Sequence, residues 1–320
     1  MARSSWRAAG VGAVVLALVL AGVAWRAAVD DPAPADADPL RQLSIAELLA
    51  GHSADWRLAR LKEHPAVVVI EFPSLAEQGA ALNRIAALFE KAGAPRDRVL
   101  DDAELAVLIA RGGDNSQTFY QGHDYQGVEL ARFFALAQAQ GLRLNPQELR
   151  LQRELRAIQG RHVADGASAT PDGGYPAALI TFTATEADDP ATPADETVDA
   201  VRRASILRHE ASHGRFYTRP LYREHCRRFW REALSGPQRE RIRAYLASIG
   251  YDRNDEELML NEAQAFMMHT ADERAFPPEV IGLTADELAE LRRLFWQTLP
   301  PEEADSVAPD AAPAAAGGRP

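Results

Sequence analysis

Cysteine is all but missing from this 320-residue chain, which carries only Cys226. No internal disulfide can form and no thiolate cage can be built, so a transition-metal site must draw on histidine and carboxylate ligands. An excess of positive charge is missing as well. The 35 basic residues are outnumbered by 46 acidic ones, for a net charge of -11. Such a chain repels phosphate backbones and anionic headgroups alike, so nucleic acid is not an expected partner. What is present is globular in character: 47% hydrophobic and 25% charged residues, in a chain long enough to bury a sizeable core.

One long apolar run stands near the amino end. Arg3 and Arg7 precede it within residues 1–7, it occupies residues 8–25, and Arg26, Asp30 and Asp31 follow. Its length suits a membrane-spanning helix and exceeds the usual apolar region of a signal peptide. Residues 8–25 therefore read as a transmembrane anchor, with residues 1–7 held in the cytoplasm and the rest exported to the periplasmic side. Small residues at Ala21, Gly22 and Ala24 keep a cleaved signal peptide, and a secreted or periplasmic product, as the alternative. Residues 26–39 and 300–320, rich in proline, alanine and acid, read as a linker and a disordered tail. Between them, residues 40–299 read as one folded domain.

Helix starts dominate that domain. Five places pair a capping acceptor with Glu or Gln three residues later: Ser74 with Glu77, Asn145 with Glu148, Ser235 with Gln238, Asn254 with Glu257, and Thr284 with Glu287. Only residues 66–72 (AVVVIEF) and 178–185 (ALITFTAT) carry strong strand patterns. The expectation is a mostly helical α+β fold whose small sheet is concentrated in the amino-terminal half.

Chemistry concentrates in ILRHEASHG, residues 206–214, where His209, Glu210 and His213 match H-E-x-x-H. Helix positions four apart share a face, so both imidazoles can reach one ion while Glu210 lies beside them. Two imidazoles and a third protein ligand hold zinc with a fourth position open to water. Glu210 then accepts the proton as water attacks. With eight histidines in the chain, such a match arises by chance in roughly one or two chains per hundred, so the surroundings decide. Residues 197–213 read as one helix whose apolar side, Val198, Val201, Ile206 and Leu207, adjoins both histidines, as in a helix buried in a core.

The third ligand is sought in NDEELMLNEAQAFMMHT, residues 254–270. Glu262 has Leu258 and Met259 a turn before it and Ala265 and Phe266 a turn after. On a helix its carboxylate enters an apolar setting that demands a positive partner. A metal short of one ligand meets that demand, and a buried arginine is the alternative. Asp252, Glu256 and Glu257 stand in reserve as ligands.

These two segments resemble the gluzincin branch of the zincin metallopeptidases, in which H-E-x-x-H is followed on a later helix by a glutamate ligand, often within N-E-x-x-[AS]. Asn261, Glu262, Ala263, Gln264 and Ala265 fit that stretch. The resemblance implies one zinc ion per chain held by His209, His213 and Glu262, Glu210 as catalytic base, a zincin-like domain built around an active-site helix, and a polypeptide substrate. It covers these two helices alone and departs from the family in two ways. Phe266 stands where many gluzincins carry an aspartate that holds a ligand histidine, so that support must come from elsewhere. The stretch between His213 and Glu262 is also longer than the best-known spacings. A metzincin pattern would need glycine and histidine at Phe216 and Arg219, and the inverted H-x-x-E-H would need histidine at Leu221 ahead of Glu224 and His225. The REHC segment then reads as the polar face of a helix over 220–234, with Cys226 a small core residue.

Stabilising an oxyanion takes a donor, and in resembling enzymes it is a tyrosine or histidine; Tyr217, Tyr222, Tyr251 and His269 are the candidates. In FYQGHDY, residues 119–125, His123, Asp124 and two tyrosines share a turn that could line the cleft, an ordinary capped loop before a helix over 127–140 being the alternative. The strand at 178–185 precedes the metal helix, as does the edge strand that aligns peptides in resembling enzymes, so a substrate could add to it. The expected activity is zinc-dependent hydrolysis of peptide bonds. A zinc hydrolase of non-peptide amides or esters is a rival, because attack by water does not specify the acyl group. The others are a non-catalytic zinc-stabilised binding protein, against which the presence of Glu210 argues, and a metal-free helical interaction domain.

Overall fold

Val67 and Val69 point to one side of their strand, Val68, Ile70 and Phe72 to the other, and all five are buried. A strand of this kind must be covered on both faces. The structure, a computed structural model, describes residues 40–164, 175–186, 193 and 196–304. The expected anchor at 8–25, the linker and residues 305–320 lie outside them. No helix among the described residues is long and apolar enough to cross a membrane.

The fold is α+β and mostly helical. Five strands, β1 (Gln42–Leu43), β2 (Arg57–Leu61), β3 (His64–Phe72), β4 (His123–Gln126) and β5 (Ala178–Thr183), form an open sheet in the order β1-β2-β3-β5-β4. The pairs β1/β2 and β3/β5 are parallel, while β2/β3 and β4/β5 are antiparallel. The helices are α1 (Ile45–Ala50), α2 (Leu75–Phe89), α3 (Asp102–Gly112), α4 (Gly127–Ala139), α5 (Pro146–Ala164), α6 (Ala200–Thr218), α7 (Pro220–Glu232), α8 (Gly236–Ser248), α9 (Glu256–His269), α10 (Ala285–Gln297) and the short α11 (Pro301–Ala304).

One sheet face packs on α2, α4 and α5 through Leu82, Ile85, Leu130, Phe133, Leu151 and Leu155. The other takes α6 through Ile206, Leu207 and Ala211. Gly214 lets α6 lie close to the sheet, since a Cβ there would sit 2.8 Å from a Val67 methyl. A further core, with Tyr222, Phe229, Leu246, Met259 and Phe295, joins α7 to α10.

Several local expectations are corrected. Asn254 does not cap α9; Asp255 does, accepting from the Leu258 N–H at 3.0 Å. The Asn254 amide instead turns to Asp252, and Glu257 turns outward to Arg227 at 2.6 Å. Ser74 caps α2, but Glu77 gives its carboxylate to Trp56 and Gln147 rather than back to the cap. The boxes at Asn145, Ser235 and Thr284 are complete. Val201 is 61% exposed, because Asp199 caps α6 and Val198 reaches the core from ahead of the helix. In the REHC segment Glu224 faces out, but His225 is buried beside Cys226 and bonds the Phe295 carbonyl at 3.1 Å. The folded unit also runs past 299. Glu303, on α11, is buried between Arg215 and Arg219.

Candidate metal centre

Helix α6 carries His209, Glu210 and His213 into the interior, where α9 packs against it and offers Glu262. All four are buried. The His209 Nε2 lies 3.6 Å from Glu262 Oε2, and the His213 Nε2 lies 3.7 Å from Glu262 Oε1. These contacts are too long for hydrogen bonds. They are close to the separation of roughly 3.3–3.5 Å between ligand atoms that bonds of about 2.0–2.2 Å give in a tetrahedral zinc site. The reserve residues are committed elsewhere, Asp252 to Arg96, Glu256 to Arg243 and Glu257 to Arg227.

The support that Phe266 cannot give comes from the residue closing α9. Thr270 Oγ1 donates to the Ala265 carbonyl at 3.2 Å, so its contact with His209 Nδ1 at 2.8 Å has the imidazole as donor. That assignment leaves the lone pair on Nε2, the atom facing Glu262. Burial holds the His209 imidazole down at about 4, against the pull of Asp124, so it is neutral at physiological pH. Phe266 packs its ring against His209 with centroids 4.6 Å apart.

Asp124 belongs to this centre. Its Oδ1 lies 3.7 Å from His213 Nε2, and Oδ2 accepts from Tyr217 at 2.5 Å. Asn261 donates to the Tyr217 hydroxyl at 3.2 Å, and Gln264, which bonds Asn261, also accepts from Tyr222. The two amides of the N-E-x-x-A stretch thus hold a hydrogen-bonded line that ends on Asp124. Gly122, two residues earlier, makes room for the catalytic-base candidate, since a Cβ there would lie 2.1 Å from Glu210 Oε1.

Among the described residues, Glu210 Oε2, Glu262 Oε2 and His213 Nδ1 are buried with no hydrogen-bond partner. Burial pushes the Glu210 carboxyl well above the usual range, with Asp124, Glu262 and Glu90 adding to the effect. Burial also carries Glu262 up to about 7, opposed by His213 and by a hydrogen bond from Tyr251. No family model, no curated protein and no solved structure matches this chain. The case for a metal therefore rests on the residues, and they fit one: two imidazoles and a carboxylate converge, and buried acids lack a positive partner.

Two cavities flank the centre. The smaller, of about 120 Å³, is lined by His209, Glu210, Gly122, Tyr251 and Tyr120. Of the four expected oxyanion donors, Tyr251 alone lines it; Tyr222 and His269 bond each other at 2.8 Å, and Tyr217 serves Asp124. Tyr120 was not among those four, yet its buried hydroxyl has no partner. Burial raises both the Tyr120 and Tyr251 phenols well above 10, so both stay protonated donors. The larger cavity, of about 180 Å³, lies along β4. β5 is not the edge expected to receive substrate, because β3 and β4 flank it; the outer strand on that side is β4.

Proposed function

We propose that this chain is a zinc-dependent peptidase, membrane-anchored through residues 8–25, with its domain on the extracytoplasmic side. The observation that carries the reading is the meeting of Glu210, Glu262 and Asp124 around two buried imidazoles with no ion pair to arginine or lysine among the described residues. His209, His213 and Glu262 would hold one zinc ion. When bound, it supplies a Lewis acid that polarises a carbonyl and makes water nucleophilic near neutral pH. Glu210 takes the proton of the attacking water, and the apolar setting that raises its pKa helps it pass that proton to the leaving amine. Tyr120, whose hydroxyl has no partner among the described residues, presents a phenol donor to the negative charge that develops on the carbonyl oxygen, while the Tyr251 hydroxyl is given to Glu262. The outer edge of β4, which pairs with no further strand among the described residues, offers backbone groups to an extended peptide, the role first expected of β5.

The test is metal content and peptide hydrolysis of the full chain. About one zinc per chain is expected, with activity lost to a chelator and restored by zinc. Glu210→Gln removes a proton acceptor and no ligand, so zinc should stay while hydrolysis drops roughly 10²-fold or more. Undiminished activity in Glu210→Gln would sink the mechanism even if zinc is present.

A further inference from the structure

The larger cavity carries a charge pattern that the hydrolytic centre does not use. Five acidic residues line it, Glu90, Asp124, Glu129, Asp255 and Glu257, and no basic side chain does. Four of them have work already. Asp124 accepts from Tyr217, Glu129 from the Gln126 N–H at 2.8 Å, Asp255 from the Leu258 N–H, and Glu257 pairs with Arg227.

Glu90 is different. It is only 8% exposed, one carboxylate oxygen takes a hydrogen bond from Tyr125, and Oε1 has no partner. Its backbone is fixed, because the Asp252 N–H bonds the Glu90 carbonyl at 3.1 Å beside the antiparallel bridge between Lys91 and Tyr251. The Glu90 side chain is thereby anchored in the wall of the cavity, with its orphan oxygen buried. Burial, with Asp124 and Glu262 adding, pushes the Glu90 carboxyl well above the usual range, and a cation entering the cavity favours its charged form.

We propose that this cavity is a subsite for a basic side chain, lysine or arginine, of the polypeptide substrate, with Glu90 as the residue that recognises its charge; this rests on the peptidase reading. Phe89, Phe216 and Leu258 in the walls cover the alkyl stem while the charged end goes to the acids. A volume of about 180 Å³ is on the order of a dozen times the space one water needs. A four-carbon amine or guanidine fills such a space, whereas a lone α-ammonium group leaves most of it empty. Its position against β4 and beside Asp124 places the subsite next to the bond that Glu210 would cleave.

The experiment uses the zinc-loaded full chain and peptide pairs that differ only in lysine against norleucine, or arginine against citrulline, at each position around the cleaved bond. At one position the basic residue should raise kcat/KM by about tenfold or more, the size of discrimination that one well-placed polar contact supplies. Glu90→Gln should bring that ratio close to one. Glu129→Gln, which keeps the oxygen that accepts from Gln126, should lower it less and serves as the second variant if Glu90→Gln does not fold. Agmatine, titrated by calorimetry, reads the cation site without hydrolysis and should bind the wild type about tenfold more tightly than Glu90→Gln.

Hydrolysis with no basic preference, or with a preference that survives in folded Glu90→Gln, overturns the subsite and leaves the peptidase reading standing. Preference for a free amino terminus whatever the side chain overturns it too. Agmatine binding that needs Glu90, in a chain that cleaves no peptide, keeps the cation site and removes the peptidase reading.

Discussion

Among the described residues the buried carboxylates fall into two groups of four, and helix α6 touches both. Glu71 meets Arg203 at 2.5 Å and Arg57 at 2.6 Å, Glu148 meets Arg84 at 3.1 Å, Asp272 meets Arg202 at 2.6 Å, and Glu303 meets Arg215 at 3.1 Å. Glu90, Asp124, Glu210 and Glu262 have no such pairing among the described residues, and they gather at one place. Arg202, Arg203 and Arg215 are on α6 itself, the helix that carries His209 and His213. The chain therefore brings guanidinium groups to buried acids on either side of its two histidines and withholds them between. In the first group the sequence neutralises its own charge, so breaking a pair should cost stability. In the second it leaves room for a cation, so substitution should cost metal and chemistry first.

Glu262→Ala should sharpen that contrast most. Losing a ligand is expected to weaken zinc binding by about 10³-fold or more, measured by competition with a chromogenic chelator, while the metal-free protein melts near the wild-type temperature. Unchanged zinc affinity would remove Glu262 from the centre.

Glu303→Ala should show the opposite pattern. A buried arginine left without its partner costs about 3–5 kcal/mol, read by urea denaturation, whereas zinc stoichiometry of the folded fraction should hold. A loss under about 1 kcal/mol would erase the distinction between the groups. Ending the chain after Leu299 should reproduce this loss, and ending it after Ala304 should not.

Thr270→Val probes the margin between the groups. The hydroxyl touches no ion, but it fixes which nitrogen of His209 carries the proton, so zinc affinity should fall about 10–100-fold with little change in melting temperature. Equal affinity in the variant would assign that tautomer to something else.

The smallest effect concerns buried groups that belong to neither set. Burial lowers His225 to about 4 from an ordinary value of 6.5, with Arg228 and Arg215 adding and the bond to Phe295 opposing. The unfolded chain takes up this proton first, so the contribution is fully present above pH 6.5 and is lost as the pH falls from there toward 4. The slope is at most about 1.4 kcal/mol per pH unit for each such histidine. Replacing His225 with glutamine should flatten that limb in urea titrations of the metal-free chain, and an unchanged slope would remove His225 from the account.

Much of the centre could be read in the sequence because helical spacing is strict. Once 209, 213 and 262 lie on helices, their faces follow from the count of residues. β3 was legible because Val and Ile dominate strands buried on both faces, and β5 because apolar residues alternate there with threonine. Asp124, Gly122, Tyr120 and Glu90 were harder. They reach the centre through tertiary contacts, and nothing in their local spacing says which loop will face which helix. FYQGHDY gave a partial signal, because a glycine beside polar and aromatic residues suggested a cleft, but its HDY portion reads too polar for a strand. β2, with two arginines in five residues, hid likewise. The expected end at Leu299 failed because PEEA resembles the low-complexity sequence after it, and only Arg215 in the last turn of α6 and Arg219 between α6 and α7 reveal what Glu303 does.

That last pairing also imposes an order in time. Arg215 leaves the ribosome 88 residues ahead of Glu303, a delay of roughly 4–18 s at about 5–20 residues per second. Throughout it the Arg215 guanidinium has the Tyr222 ring beneath it, 4.1 Å to the centroid, but no carboxylate partner. The pair of Arg215 with Glu303 is therefore among the last buried ion pairs to form.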